Sequence, residues 1–366
     1  MVIGGGIIGV CSAYYLLESG RSVTLLERDD ICSGSSYGNG GLVVPSSVPL
    51  AAPGAVAQGV KWMLSPESPF YIKPRLDPGL LSWLWRFRAA SNQRQLRSSL
   101  AVASQFGSAS LALFDDLVAR EALDCGFTRK GTLSLYRTER GLKEGLAEAE
   151  IQEESGASSV GLSASEVMEM EPILRPGVVG GVFHRDDAHL KPDDFVLGLA
   201  SRVRDRGGSI ETGVEVVGFE TRGRSVKAVR TSRGEFPCRQ VVLAAGAWSA
   251  GMARDLGLRL PVQPAKGYSV TFHSPERLPQ VPLKLGEARI GATPIGSALR
   301  LAGTLELSGI NLEIRERRVR AILQGARQYL ALDLDSGPRE IWCGLRPLSP
   351  DGLPAIGRVS SPANGI

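Results

Sequence analysis

The chain has 366 residues, 43% of them hydrophobic and 22% charged, with a formal net charge of +4. That is globular composition, long enough for two or three domains or one discontinuous pair, and its basic residues are interspersed with acids, which gives nucleic-acid binding no support. Cys11, Cys32, Cys125, Cys238 and Cys343 lie far apart and form no C-x-x-C pair, so free thiols in a reducing compartment are expected, with no zinc or other metal site.

Met1-Val2-Ile3 reads as a strand stub, and Gly4, Gly6 and Gly9 satisfy G-x-G-x-x-G. Residues 10–17 are apolar at helical period, and residues 23–26 form a second strand that ends at Glu27-Arg28. In such a βαβ unit the first glycine makes the tight turn. The second lets backbone approach a pyrophosphate, and the third lets helix pack on strand. The helix start at Ile7-Ile8 offers free N–H groups and the positive end of a dipole to phosphate. Glu27 stands about 20 residues on, where an acid accepts hydrogen bonds from ribose hydroxyls and disfavours a 2′-phosphate. NADP is therefore the least expected of NAD, FAD and NADP.

Residues 29–42 are small, polar and glycine-dense. Following a dinucleotide turn, they read as backbone laid against a flat ligand. Residues 45–92 gather Trp62, Trp83, Trp85 and Pro66, Pro69, Pro74, Pro78. Within them residues 80–87 predict a helix with an aromatic face, used for core packing or as a cap over the site, with a partner or membrane surface as the other option. Leu96, Leu100, Ala103, Phe106, Leu111, Phe114 and Leu117 predict a long helix over 93–125.

A strand at 131–136 and a half-solvated helix at 141–154 follow. Ser163-Ala164-Ser165-Glu166 reads as a cap opening a short helix. A strand is expected at 180–184, a crossover helix at 192–206, a strand pair over 209–219 and a strand at 226–231. Residues 240–249 predict a buried strand that runs into the small-residue turn Ala244-Ala245-Gly246 and returns beside the first glycine turn. Residues 264–272 and 299–306 belong to a second, antiparallel sheet. Residues 341–357 hold Arg346 in a Gly/Pro frame. No secretory signal is visible, and no apolar run approaches the roughly 20 residues of a spanning helix. The first strand is very short and the chain stops at Asn364-Gly365-Ile366, so both ends are expected to be trimmed.

Four motifs in this order carry a resemblance: Gly4 to Gly9 with Glu27, the Ser35-Ser36-Tyr37-Gly38-Asn39-Gly40-Gly41 loop, Leu243-Ala244-Ala245-Gly246-Ala247-Trp248-Ser249, and Gly344-Leu345-Arg346-Pro347. Together they resemble the FAD-dependent D-amino-acid oxidase superfamily. The insertion after Pro45 is most similar to its bacterial D-amino-acid dehydrogenase branch, a catabolic one; glycine and sarcosine oxidases are cousins. The resemblance implies an α/β fold. A discontinuous Rossmann-like FAD-binding domain would comprise 1–45, 192–262 and 343–366, and a mixed-sheet α+β substrate domain would comprise 46–191 and 263–342. It implies non-covalent FAD held by Gly4, Gly6, Ile7, Ile8, Gly9, Glu27, Arg28, Ser35, Ser36, Asn39, Gly40, Gly41, Leu42, Val216, Ala245, Gly246, Trp248 and Gly344. Cys343 is offset from the position at which some members attach flavin. The family continues past Ile366 into a Gly-His-Gly-type turn that this sequence lacks, so weaker FAD binding is expected of these residues alone.

The implied chemistry is oxidation of a D-amino acid to its imino acid by hydride transfer from Cα to flavin N5, with Arg346 clamping the carboxylate. Tyr268, Tyr136 and Lys266 are further candidates for the pocket wall. His184, His189 and His273 sit in no catalytic spacing. The alternative within the same chemistry is glycine or a secondary amine such as sarcosine or D-hydroxyproline. An NAD-dependent dehydrogenase leaves the second loop unexplained, and a pyridine-nucleotide–flavin reductase needs a second G-x-G-x-x-G. A quinone, a carrier or oxygen would take the electrons. The expected location is cytoplasmic, with peripheral contact at the inner membrane as an option.

Overall fold

A computed structural model describes residues 1–47, 49–63, 68–154, 156–223 and 225–359. Its first unit is a four-stranded parallel sheet with the strand order Val242–Leu243, Val2–Ile3, Thr24–Leu26, Ser209–Glu211. Apolar runs this short are long enough because each strand is covered on a face by helix. Ile7–Glu18 and Pro192–Asp205 pack together there through Val10, Ala13, Tyr14, Phe195, Leu199 and Val203. Pro192 opens the second of these helices, where its missing N–H costs nothing.

The larger unit is a nine-stranded mixed sheet. Its order is Arg339–Leu348, Gln263–His273, Ala298–Leu307, Ile290–Ile295, Leu283–Leu285, Thr132–Tyr136, Gly180–His184 and Ser159–Ser163, with Phe70–Ile72 added alongside Ala298–Leu307. One face carries the main apolar core, including Tyr268, Val270, Leu283, Leu285 and Leu301. The glycine-dense segment ties the units together: Leu42–Val43 pairs with Ala188–His189 in a separate two-stranded sheet, and Arg300 of the large sheet donates to the Tyr37 carbonyl.

The capping box at Ser163 is present, with Glu166 reciprocating, and the helix it opens spans Ala164–Met170. The structure departs from several other expectations. Residues 209–219 hold two strands that do not pair: Ser209–Glu211 joins the parallel sheet, and Val216–Arg222 joins a separate three-stranded antiparallel sheet. The long helix spans Gln93–Glu121, but its buried stripe runs through Ser99 and Ser104, which leaves Phe106 exposed. The aromatic face of Pro78–Ala90 is split, because Trp83 is buried and stacks on Phe87 while Trp85 is 72% exposed. Residues 343–348, grouped above with the FAD-binding segments, run as a strand of the large sheet. The Trp62 side chain, Pro66 and residues 360–366 lie outside the described residues.

Candidate active site

At the end of the first strand Gly4 adopts φ +108, and a Cβ there would lie 2.5 Å from the Ala244 carbonyl oxygen. A Cβ on Gly9 would lie 1.8 Å from the Gly4 carbonyl oxygen. Strand, turn and helix thus meet at backbone distance, and Ala244-Ala245 of the neighbouring strand closes in beside them. The helix Ile7–Glu18 has Gly6 at its N-cap and no cap from its own side chains. Ser36 supplies one from 29 residues away, its Oγ accepting from Ile7 N at 2.9 Å.

Glu27 Oε2 accepts from Gly5 N at 2.6 Å, and Oε1 from Asp29 N at 2.9 Å. Arg28 lies over the Trp248 ring at 5.1 Å and pairs with Asp29 at 2.9 Å. Val216 opens the three-stranded sheet and packs with Val214, whose N–H donates to the Glu27 carbonyl. The carboxylate, the Arg28–Trp248 pair and Val216 therefore gather at the end of the second strand.

The loop at 35–42 is held from two sides. Asn39 folds it internally, donating to Ser36 O at 2.8 Å and accepting from Gly41 N at 2.7 Å. Gly41, at φ +66, approaches the Leu190 carbonyl so closely that a Cβ would stand 2.3 Å from its oxygen. From the large sheet, buried Arg300 donates through Nη1 to Tyr37 O at 2.9 Å and Asn39 O at 3.1 Å, and through Nε to Thr271 Oγ1 at 3.0 Å. Burial lowers its pKa from the ordinary arginine value, and it remains charged. Ser35 Oγ donates to Leu345 O at 2.6 Å.

Between this loop and the sheet is a cavity of about 710 Å³ bounded by Asn39, Gly40 and Leu42 on one side and by Tyr136, Lys284 and Arg346 among the sheet residues. Arg346 lies flat over Gly267, whose Cβ would stand 2.5 Å from Nη1, and it donates to Thr304 O at 3.0 Å. Surrounding protein lowers its pKa, yet the side chain keeps exposed surface. The exposed face matters more for a ligand, and the group stays charged.

Tyr136 is wedged between Gly145 and Gly286, where a Cβ would meet its ring or hydroxyl at 2.7 Å or less. Burial pushes its pKa up to about 12, so it serves as a neutral wall. Lys284 sits 3.2 Å from Asp187, a fully buried carboxylate that also accepts from Thr132 Oγ1 at 2.6 Å and Ser46 Oγ at 2.7 Å. His184 lies behind, 3.2 Å from Ser134 Oγ. Burial first, and then Lys284, lower its pKa to about 4, so it is neutral near pH 7.

A family model described as FAD dependent oxidoreductase matches residues 1–365. The chain belongs to this family of FAD-dependent oxidoreductases. It is 32% identical to a D-amino acid dehydrogenase of Methylobacterium nodulans over 98% of this chain and 87% of that one. It is 30% identical to that of Vibrio atlanticus over 98% and 88%. Among solved structures, glycine oxidase from Bacillus cereus shares the fold at TM-score 0.72 and 24% identity, covering 97% of this chain and 84% of that one. L-proline dehydrogenase from P. horikoshii does so at 0.71 and 20%, covering 98% and 83%.

Within this FAD-dependent oxidoreductase the sequence-expected residues divide by face. Arg346, Tyr136, Asn39, Gly40 and Leu42 meet at the cavity. Lys266 and Tyr268 do not reach it. Gly267, between them, carries the Arg346 face, so the strand alternation turns both side chains to the other face. There Lys266 Nζ donates to Glu313 O at 2.9 Å and Asn311 Oδ1 at 3.0 Å, and Tyr268 OH to Glu306 at 3.3 Å. Cys343 alternates away from Arg346 in the same way, its Sγ donating to Leu312 O at 3.1 Å.

Sequence reasoning missed Lys284 and Arg300. The signal for Lys284 was local: one cation between Leu283 and Leu285, both in the core, must face the other way. Arg300 carried the same mark, flanked by Leu299 and Leu301. The turn also fits the family's cofactor: the helix Ile7–Glu18 has no side-chain cap of its own, and only Ser36 Oγ, at 3.1 Å, stands within 4 Å of where a Cβ on its N-cap Gly6 would lie.

Proposed function

We propose that this FAD-dependent oxidoreductase takes D-amino acids, oxidising them to imino acids that hydrolyse to 2-oxo acids and ammonia. Relatives named D-amino acid dehydrogenase support the substrate class. The observation that carries the reading is Arg346. Its one side-chain hydrogen bond among the described residues is to the Thr304 carbonyl, and it lines the cavity beside Asn39 and Gly40. A guanidinium with donors left over, aimed into a cavity, suits a carboxylate bidentately.

Gly4, Gly6, Ile7, Ile8 and Gly9 would hold the FAD pyrophosphate, and Glu27, Arg28, Val216 and Trp248 the adenosine end. Ser35, Ser36, Asn39, Gly40, Gly41, Leu42, Ala245 and Gly246 would hold the remainder, whereas the side of Gly344 that a Cβ would occupy is covered by the Trp342 indole, 2.1 Å from the Cβ position. When bound, FAD supplies the acceptor for the Cα hydride. The chain's own part is orientation: Arg346 fixes the carboxylate, neutral Tyr136 walls the cavity, and the loop carbonyls are locked by Arg300. The test is a visible spectrum followed by anaerobic addition of D- and L-amino acids, glycine, sarcosine and D-hydroxyproline. Bleaching by D-amino acids that Arg346→Ala abolishes is the expected result. Bleaching only by glycine or a secondary amine overturns it in favour of the alternative substrates.

Peripheral membrane contact is part of the same reading. Among the described residues no helix is long and apolar enough to cross a membrane. Leu81 and Trp85, one helical turn apart on Pro78–Ala90, are exposed together with Leu76. Lys73, Arg75, Arg86, Arg88, Arg94 and Arg97 flank them along the sequence, in a stretch whose one acid is Asp77, with which Arg75 pairs at 3.0 Å. Exposed apolar side chains framed by cations suit an anionic bilayer surface, where a membrane-bound quinone could take the electrons. Flotation with anionic vesicles, lost in a Leu81→Ser/Trp85→Ser variant, is expected; equal behaviour of the two proteins overturns it.

A further inference from the structure

We infer that Trp342 is a positioning residue that couples the two halves of the site, so that FAD and the substrate carboxylate each tighten the binding of the other. The inference rests on the reading of Arg346 as the carboxylate clamp. Trp342, Gly344 and Arg346 fall at alternate positions of Arg339–Leu348, on one face of the strand. The indole occupies the space of two missing side chains. A Cβ on Gly344 would lie 2.1 Å from its Cη2, and a Cβ on Gly38 would lie 2.1 Å from its Cδ2. One glycine belongs to the strand that carries Arg346 and the other to the loop at 35–42, so the ring is a pin between them.

Two further ties flank the pin. Tyr37 OH donates to Glu340 Oε1 at 2.9 Å, and Ser35 Oγ to Leu345 O at 2.6 Å. Gly344 and Gly267 stand opposite each other in register. The indole lies over the first and the Arg346 guanidinium over the second, so both side chains rest on one two-glycine floor. A ligand that fixes the loop therefore fixes the strand, and with it the guanidinium. Where a first ligand orders an element that a second also contacts, the second meets a smaller ordering cost, and the coupling is reciprocal.

The experiment measures FAD affinity by flavin fluorescence on the purified protein, with and without saturating propionate, a carboxylate that has no amine to oxidise. Propionate should tighten FAD binding by about fivefold or more. In Trp342→Ala that ratio should fall to about one, with KM for a D-amino acid raised more than kcat is lowered, and Trp342→Phe should restore most of it. Gly344→Ala, which displaces the indole without removing it, should reproduce the loss. A wild-type ratio of one, or a Trp342→Ala protein that keeps the ratio and loses only melting temperature, overturns the inference. Bleaching of the wild-type flavin by D-amino acids is scored separately, so a failed substrate reading is distinguishable from a failed coupling.

Discussion

The guanidinium of Arg346 lies over Gly267, on the strand next to its own, so closely that a methyl group there would stand 2.5 Å from Nη1. Gly267→Ala is therefore expected to push the guanidinium off its seat while leaving the glycine turn at residues 4–9 untouched. Losing a charge-assisted contact of this kind costs about 1.5–3 kcal/mol, so KM should rise about tenfold to a hundredfold. FAD affinity measured without substrate should stay within about twofold of wild type, allowing the few tenths of a kcal/mol by which distant sites depart from additivity. Steady-state kinetics with a flavin titration check both; a KM unchanged by the methyl group contradicts the assignment. Arg346→Lys should behave like the alanine variant, since a point charge cannot reproduce the fork.

The turn makes a different demand. In Gly9→Ala the methyl would meet backbone, the Gly4 carbonyl, at 1.8 Å, and backbone cannot rotate away as a side chain can. Overpacking costs about 1–3 kcal/mol, and here it also deforms the segment that faces phosphate. The purified variant should carry little flavin and melt several degrees lower. Gly20→Ala, at φ +77 with nothing near its Cβ, is the control, and it should lose stability without losing flavin.

Arg300 is the buried anchor of the loop at 35–42. Arg300→Met keeps the apolar stem but leaves the carbonyls of Tyr37 and Asn39 and the Thr271 hydroxyl without their donor. An unsatisfied buried group costs about 1–3 kcal/mol. The loop should become more susceptible to proteolysis and FAD should bind more weakly, since the residues that lose their anchor adjoin the cavity. Limited proteolysis of wild type and variant, with and without FAD, decides it; identical digestion patterns would falsify the anchoring role.

His184 makes stability depend on pH. Burial holds its pKa at about 4, below the ordinary 6.5. The unfolded chain therefore binds a proton between these values that the folded chain refuses. The stability this group contributes is complete above pH 6.5, and it is lost as pH falls toward 4. At 1.36 kcal/mol per unit the loss approaches about 3 kcal/mol. Urea unfolding at pH 7 and pH 4.5 should show a smaller difference for His184→Gln than for wild type, and an unchanged difference rules the histidine out as its source.

Local chemistry determined much of this protein from sequence alone. The glycine spacing at 4, 6 and 9 with Glu27, the Ser163–Glu166 box and the apolar periods of the helices packed on the parallel sheet are short-range patterns, and the fold keeps them. The small-residue turn at 244–246 was legible as a close approach because only backbone fits there. The faces of the large sheet were not legible. Side chains alternate with period two, so a one-residue change of register turns every side chain on a strand to the other side. Nothing in Pro264-Ala265-Lys266-Gly267-Tyr268 says which parity faces the cavity. Pairing of Ala265 with Arg346 settles it, and it sends Lys266 and Tyr268 into the opposite face while leaving Gly267 beneath the guanidinium. The partners of Arg300 and Trp342 are set in the same way. Each reaches a loop about 260 or more residues away along the chain, a contact that only the assembled sheet, packed against the glycine loop, brings together.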